Sequence, residues 1–285
     1  MKRIGFIFST LLLTSLSNAQ TLQDAITKTD NERFESAAAD FKALITKDAS
    51  KGDVYFYYGE NYFKNFLPDS AMMMYKKGSE VQPTNPLNFI GIGKVLLNEG
   101  KDQEANTNLF KGRTLAVKNA TALLKLAEVY INVPAPYKNF VEANKVIAEA
   151  MKLEPKNPEA FLIMGDGLLE QNPTEGTPAI TAYSKALELN PKSPKALLRK
   201  GKLYLRARNY NLALDFYKQA IGIDSTFAPA YREMAEIYHL AGQDGKALEM
   251  MKKYLRLNQN SPSARKRYAS FLFLNKQYAE AIKEI

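Results

Sequence analysis

The chain has no cysteine, no tryptophan and a single histidine among its 285 residues. Without cysteine it can form no disulfide framework, no thiolate metal site and no lipid anchor on a cysteine. With His239 as the only imidazole, neither a histidine-based catalytic triad nor a histidine-rich metal site can be assembled. We therefore expect no enzymatic activity, no cofactor and no metal ion.

Long apolar runs are also scarce, and the best candidate lies at the start of the chain. Met1–Arg3 is basic, Ile4–Leu16 is mostly apolar, and Ser17–Ala19 ends in a small-x-small pattern. The apolar stretch is shorter than the ~20 residues that span a bilayer and is interrupted by hydroxyl residues. The pattern is typical of a secretory signal peptide over residues 1–19, cleaved near Ala19. We expect an exported protein of the periplasm or cell envelope.

The charge is uneven along the chain. The formal net charge is +9. From Pro191 to Ile285 there are 18 Lys and Arg against 8 Asp and Glu, whereas Gln20 to Asn190 carries 19 against 22. The basic excess therefore lies in the last third of the chain, where it favours an acidic partner.

What the sequence does contain is a period. Eight alanines recur at a nearly constant interval, and they are Ala37, Ala71, Ala105, Ala143, Ala179, Ala213, Ala247 and Ala281. A second column of small residues precedes them, in most cases at one fixed spacing, and consists of Ala25, Gly59, Gly93, Ala127, Gly165, Gly201, Ala235 and Ala269. The two longer intervals contain Pro134, Pro136 and Pro173, so the extra residues are predicted to lie in turns. A fixed period of this kind indicates a repeat protein rather than one globular core.

One period reads as a helical hairpin. In Pro194–Phe227, apolar residues recur with helical spacing on both sides of a turn at Asn209. Gly201 lies inside the first helix, where glycine costs ~1 kcal/mol relative to alanine. Its column therefore predicts a close crossing of the two helices, with the space beside it filled by the aromatic residue four positions after the alanine.

The units resemble tetratricopeptide repeats. The family pattern appears as Tyr55-x2-Tyr58-Gly59-x2-Tyr62, Ala71-x3-Tyr75 and Pro83, and again around Gly165, Ala179 and Tyr183. The resemblance implies an all-α, right-handed superhelix of helical hairpins, an α-solenoid. After the signal peptide, an atypical N-terminal repeat is expected over residues 20–51 and the array over 52–285. Its units are predicted at 52–85, 86–119, 120–157, 158–193, 194–227, 228–261 and 262–285.

Three departures from the pattern concern the ends and one helix. Asp24 and Lys28 stand where core residues are expected, so the first unit is predicted to be an atypical cap or partly frayed. Lys200 occupies a position that is usually apolar. The last unit stops shortly after Ala281, inside its second helix, which predicts that the chain is a fragment of a longer protein.

The resemblance also implies a concave groove, lined by the first helix of each hairpin, that binds a protein or peptide. The candidate partner-binding residues are Glu128, Asp166, Glu170, Lys195, Arg199, Lys202, Arg206, Arg232 and His239. Earlier groove positions hold Phe56, Glu60, Phe63, Lys64, Ile90, Lys94 and Asn132. An acidic middle followed by a basic end suits an extended partner of opposite polarity or one with an acidic terminus.

A clamp for a terminal carboxylate, known from some members of this family, is incomplete. Lys195 and Arg199 match its last pair, but Leu124, Glu128 and Ile163 occupy its other positions.

We predict a non-enzymatic interaction scaffold of the periplasm or cell envelope, and two alternatives stay open. The chain could be the N-terminal arm of a longer envelope protein whose further domain anchors to cell wall or outer membrane, or is catalytic. It could instead bind an anionic glycan or lipid through its basic 191–285 face, so a membrane or cell-wall surface is an open alternative. No nucleic acid partner is expected.

Overall fold

The structure is a computed structural model that describes residues 21–259 and 261–284. Within these residues the chain forms α-helices, one short 3-10 turn and loops, with no β-strand. The predicted all-α class is confirmed. The predicted signal peptide, residues 1–19, lies outside the described residues.

Sixteen α-helices follow one another in the part of the chain that the structure describes. They are α1 (Leu22–Asp30), α2 (Phe34–Lys47), α3 (Gly52–Lys64), α4 (Pro68–Val81), α5 (Pro86–Asn98), α6 (Asp102–Leu115), α7 (Ala120–Asn132), α8 (Phe140–Leu153), α9 (Pro158–Gln171), α10 (Thr177–Leu189), α11 (Pro194–Arg206), α12 (Tyr210–Ile223), α13 (Ala228–Leu240), α14 (Asp244–Leu257), α15 (Pro262–Leu274) and α16 (Tyr278–Lys283). The 3-10 turn, Ala135–Tyr137, lies between α7 and α8.

The helices pair into hairpins that stack in sequence. Each odd-numbered helix packs against the even-numbered helix that follows it, and consecutive hairpins pack on each other. Odd-numbered helices also contact one another directly. For example, α5 contacts both α3 and α7. The odd-numbered helices therefore form an inner row and the even-numbered ones an outer row, which is the predicted α-solenoid.

Local sequence signals explain where several inner helices begin. Asn85, Asn157, Ser193 and Ser261 each accept a hydrogen bond from a backbone N–H of the first turn, and a proline follows each of them. A capping side chain satisfies a free N–H group, and proline has no N–H to satisfy at that place.

The turn inside each hairpin explains the regular period. Six turns carry one residue with positive φ, and these residues are Glu32, Phe66, Gly100, Arg208, Gly242 and Lys276. The first three recur at one constant interval, and the last three recur at the same interval. A left-handed residue at this place ends the first helix and turns the chain into the second. The hairpins of α7 with α8 and of α9 with α10 lack such a residue, and their turns are the longer ones that contain Pro134, Pro136 and Pro173.

The small-residue column lies at the helix crossing, as predicted. A β-carbon added at Gly201 would lie within 3.0 Å of the Tyr217 ring, and one at Gly165 within 3.0 Å of the Tyr183 ring. Gly59 meets Tyr75 in the same way, and Gly93 meets Leu109. The alanine column is also buried, with at most 4% exposure at Ala37, Ala71, Ala105, Ala143, Ala179, Ala213, Ala247 and Ala281.

The first helix begins with a hydrogen-bonded N-cap. Thr21 and Asp24 form a reciprocal capping box at the start of α1, so Asp24 has a structural role outside the core. Lys28 reaches the nearly buried carboxylate of Asp40 on α2. Lys200, the other departure, lies over the ring of Phe216 at 4.9 Å from its centre and donates to Ser184. These polar residues are therefore satisfied without disturbing the hairpins.

The apolar core is continuous along the middle of the array. Its largest cluster runs from Phe56 to Ile163, and a second one runs from Leu197 to Ala281. Among residues 21–259 and 261–284, no helix is both long and apolar enough to cross a bilayer. The last hairpin leaves Phe273, Tyr278 and Ile282 more than half exposed.

Candidate functional site

The concave side of the array contains two adjoining cavities, which we refer to as the groove cavities. One, of about 240 Å³, is lined by side chains of α1, α3, α7, α9 and α11. The other, of about 180 Å³, is lined by α3, α5 and α7. Glu60, Lys64 and Lys125 border both. All these helices belong to the inner row, so the groove lies where the stacking of the hairpins leaves a hollow.

Several predicted groove residues border these cavities. Glu60, Lys94 and Glu128 line the smaller one together with the apolar side chains of Phe56, Phe63, Ile90 and Val129. Lys195 lines the larger one. The smaller cavity therefore combines apolar walls with charged groups, as binding clefts commonly do, whereas the larger one is lined mainly by charged and polar side chains.

Ion pairs between consecutive hairpins run along this surface. Lys64 lies 2.8 Å from Asp30, Lys195 3.1 Å from Glu159, and Arg199 2.8 Å from Asp166. Lys94 pairs with Glu60, and Lys138 lies 2.7 Å from Glu170. At two of these pairs, Glu159 with Lys195 and Asp166 with Arg199, the acidic middle and the basic end predicted from sequence neutralise each other.

Two of the carboxylates also satisfy buried tyrosines at the helix crossing. Tyr75 donates its hydroxyl to Glu60, and Tyr183 donates to Asp166 at 2.8 Å. Each carboxylate thus joins a core tyrosine to a cation of the next hairpin. Lys202 stands at the same place in the following unit, and the buried hydroxyl of Tyr217 has no hydrogen-bond partner among the described residues.

The surroundings keep two groove carboxylates, Glu60 and Asp30, ionised. Burial by itself would raise the pKa of Glu60, but the ammonium groups of Lys94 and Lys125 outweigh it and lower that pKa to about 2. The pKa of Asp30 is lowered in the same way, because Lys64 and Lys195 outweigh its burial.

Two groove lysines, Lys94 and Lys125, have pKa values that are shifted in opposite directions. Lys94 has a lowered pKa because burial of its ammonium group outweighs the attraction of Glu60. Burial opposes the charge of Lys125 too, but Glu128, Glu60 and Glu159 together raise its pKa.

The structure places the other predicted residues along the same face. Lys202 lies 3.3 Å from Glu233, whereas Arg206 is exposed. His239 shares a hydrogen bond of 2.8 Å with Asp244, at the start of α14, and its ring lies edge-on to Phe271. His239 is therefore one third exposed and held by its own hairpin.

The sequence reasoning missed Asp30, Glu32 and Lys125. Asp30 lies one period before Lys64, so extending the groove register into the first unit would have found it. Lys125 lies one position after Leu124, outside the expected groove register, and it lines both cavities.

The first unit also reaches across the groove to the sixth and seventh. Glu32 receives two hydrogen bonds from the Arg232 guanidinium, at 2.8 and 3.2 Å. The side-chain amide of Asn31 donates to Asp224 at 2.7 Å and to Thr226 at 3.1 Å. Asp30 lies 3.3 Å from Lys195. We refer to these contacts of residues 30–32 as the closing contact, because they join hairpins that are far apart in sequence.

The chemistry available in the groove is recognition by charge, hydrogen bonding and apolar contact. Within residues 21–259 and 261–284, no group of three or more Asp, Glu or His side chains is arranged to hold a metal ion.

Sequence comparisons match the repeats directly. Tetratricopeptide repeat family models match residues 178–226 and 204–263. The protein bimA of Emericella nidulans is 22% identical over 193 residues, which cover 67% of this chain and 23% of bimA. Human tetratricopeptide repeat protein 21B is 32% identical over 97 residues, 34% of this chain and 7% of that protein. The chain thus spans less than a quarter of the length of these relatives.

Solved structures share the fold. Yeast Tom70 superposes with a TM-score of 0.64 at 15% identity, covering 97% of this chain and 61% of that one. A chain of the APC/C hetero-tetramer Cut9–Hcn1 gives a TM-score of 0.51 at 17% identity, covering 88% of this chain and 48% of that one. The chain therefore carries tetratricopeptide repeats, which the family models match within residues 178–263, and the stacked hairpins with buried alanine and glycine columns repeat through the described residues.

Proposed function

We propose that the protein is a non-enzymatic scaffold that holds an extended segment of a partner protein in its concave groove. The observation that carries the proposal is the pair of groove cavities, which the inner helices border with apolar walls and fixed charges. A groove of this kind can bind a peptide by shape and by paired polar groups without chemical change to it. The similar chain of the Cut9–Hcn1 hetero-tetramer was solved in an assembly of two different proteins, which supports a partner-binding role here.

The proposed setting is the periplasm or cell envelope of a bacterium. The support for it is the basic, apolar and small-residue pattern of Met1–Ala19. Mass spectrometry of the protein recovered from an envelope fraction should find a chain that begins near Gln20. Recovery of the chain from the cytosol with Met1 or Lys2 at its N-terminus would contradict the export proposal.

Binding of an anionic glycan or lipid through the 191–285 face has less support. Lys195, Arg199, Lys202 and Arg232 already pair with carboxylates of this chain, so much of the basic excess on the groove side is neutralised.

The groove proposal can be tested by cross-linking from defined positions. A photoreactive residue would replace Gln23 or Asn132, both exposed and bordering the cavities, or Val141, which is 66% exposed on α8 of the outer row. After irradiation in envelope extract, partner proteins should be captured from the two groove positions and not from Val141. Equal capture from all three, or capture from Val141 alone, would contradict binding in the groove.

A further inference from the structure

The closing contact places an acidic turn of the chain on the basic side of its own groove. Residues 30–32 read Asp-Asn-Glu, and they meet Lys195 of α11 and Arg232 of α13. A carboxylate held by a guanidinium through two hydrogen bonds is a specific contact, since both the distance and the orientation are fixed.

Comparison with the other hairpin turns shows that this arrangement is particular to the first unit. Of the six turn residues with positive φ, Phe66, Gly100, Arg208, Gly242 and Lys276 are exposed, and Glu32 is half-buried. Left-handed backbone is unfavourable for glutamate, and two of the other five positions hold glycine. The turn by itself does not select glutamate, since Phe66, Arg208 and Lys276 occupy the same position in other turns; what distinguishes Glu32 is its contact with Arg232.

No apolar core joins the two sides of the closing contact. The cluster that contains the first hairpin includes Ala25, Phe41 and Tyr58, and the cluster beyond the contact begins at Leu197. None of the clusters in the described residues includes side chains from both sides. Separating the sides would expose charges and hydrogen-bonding groups and would disrupt no shared apolar core.

A solenoid can open such a contact without unfolding. Five hairpin interfaces separate the first unit from the sixth, and a small rotation at each one adds up at the ends. Ligand-binding segments are commonly drawn from the less stable contacts of a protein.

We propose that an acidic segment of the partner binds beside Arg232 and Lys195 by displacing the turn Asp30–Glu32. In the free protein that turn occupies the binding site of the segment. This inference rests on the proposed groove function and names the chemical class of the partner segment. The incoming carboxylates replace those of Asp30 and Glu32, so that Arg232 and Lys195 keep a counter-charge in the bound state. Because the two compete, the affinity of the protein for the partner segment depends on the fraction of molecules in which the turn is detached from Arg232 and Lys195.

The test uses labelled hexaglutamate as the probe, with hexaglutamine as the uncharged control peptide, and measures fluorescence anisotropy. Glu32→Gly removes the displaced carboxylate and keeps a residue suited to positive φ. Arg208→Gly makes the same backbone change in an exposed turn outside the contact, and Glu104→Gln, on α6, removes an exposed carboxylate and so matches the change in net charge. We expect hexaglutamate to bind Glu32→Gly about tenfold more tightly than the wild type, Arg208→Gly or Glu104→Gln, because the competing turn is weakened.

Removing the cation that binds the carboxylates should give the opposite result. Arg232→Gln should weaken hexaglutamate binding, whereas Lys252→Gln, which removes an exposed cation of α14, should not. Circular dichroism of each variant confirms that it is folded. Equal affinity of Glu32→Gly and Glu104→Gln, or equal loss in Arg232→Gln and Lys252→Gln, would overturn the proposal.

A distance measurement tests displacement itself. The chain has no cysteine, so dyes can be attached at Lys42→Cys and Lys252→Cys, both exposed, on the two sides of the contact. Hexaglutamate should lengthen the distance between the dyes, and an unchanged distance in the bound protein would contradict displacement. If cross-linking from Gln23 and Asn132 succeeds while hexaglutamate fails these tests, the groove function stands and the acidic class of partner is wrong.

Discussion

The interfaces between neighbouring hairpins and the closing contact between distant ones are built differently. Neighbouring hairpins share a buried apolar layer. Leu123 and Leu126 of α7, for example, belong to the large middle cluster, and ion pairs such as that of Lys94 with Glu60 lie beside it. At the closing contact the structure shows ion pairs and hydrogen bonds of residues 30–32, and no apolar cluster of the described residues spans it.

The difference separates what stabilises the fold from what sets how open it is. Apolar burial contributes ~25 cal/mol per Å² and is insensitive to salt, so it dominates between neighbours. Partly exposed ion pairs contribute ~0–1 kcal/mol each and weaken with salt. The sequential stack should therefore hold while the closing contact opens.

The largest effect is expected from overpacking the close helix crossing inside one hairpin of the sequential stack. Gly201→Leu forces atoms into the Tyr217 ring and should destabilise the protein by ~1–3 kcal/mol or more, measured by thermal and denaturant unfolding. Gly222, in α12, has open space around its α-carbon, so Gly222→Ala should instead stabilise by up to ~1 kcal/mol. Unchanged melting of Gly201→Leu would mean that the close crossing is wrong.

Loss of a groove carboxylate should be the next largest effect. Asp166→Ala leaves both the Arg199 guanidinium and the Tyr183 hydroxyl without their acceptor, at an expected cost of ~1–3 kcal/mol in unfolding free energy. Glu188→Ala removes a carboxylate from an exposed pair with Lys185 and should change stability by less than ~0.5 kcal/mol. Equal effects of the two substitutions would show that the groove pairs are no stronger than surface ones.

Acid should weaken the groove pairs over a defined pH range. The pKa of Glu60 falls from 4.5 to about 2 on folding, so its contribution is present above pH 4.5 and is lost as the pH falls towards 2. The pKa of Glu32 is also lowered, since Arg232 outweighs burial, so the closing contact weakens in the same direction. Glu60→Gln should reduce the loss of stability as the pH falls below 4.5, measured by denaturant unfolding, and an unchanged slope would contradict the assignment.

The sequence predicted the local architecture well, because the period reports contacts within one hairpin and between neighbours. Gly201 and Tyr217 lie on the two helices of one hairpin, and the Tyr217 ring fills the space that Gly201 leaves by having no side chain. The register also led to Glu60 and Lys94 in the groove. These positions follow from helix geometry, which a repeat preserves from unit to unit.

The closing contact could not be predicted from the sequence in the same way. Whether Glu32 meets Arg232 depends on the sum of small rotations over successive hairpins, two of which have longer turns at Pro134–Pro136 and Pro173. No local pattern encodes that sum. The pairing of Asp166 with Arg199 has a different reason, since it joins consecutive hairpins, and counting charges along the chain does not show which side chains pair.

The smallest expected effect isolates the closing contact itself. Glu32→Gly and Arg208→Gly relieve the same left-handed strain and add the same freedom to the unfolded chain, so these terms cancel in their difference. What remains is the contact of Glu32 with Arg232, and Glu32→Gly should be less stable than Arg208→Gly by ~0.5–1 kcal/mol at low salt. The difference should shrink in ~1 M salt, where exposed charges are screened within ~3 Å. Equal stability of the two variants at low salt would mean that the contact of Glu32 with Arg232 does not hold the two ends of the groove together in solution.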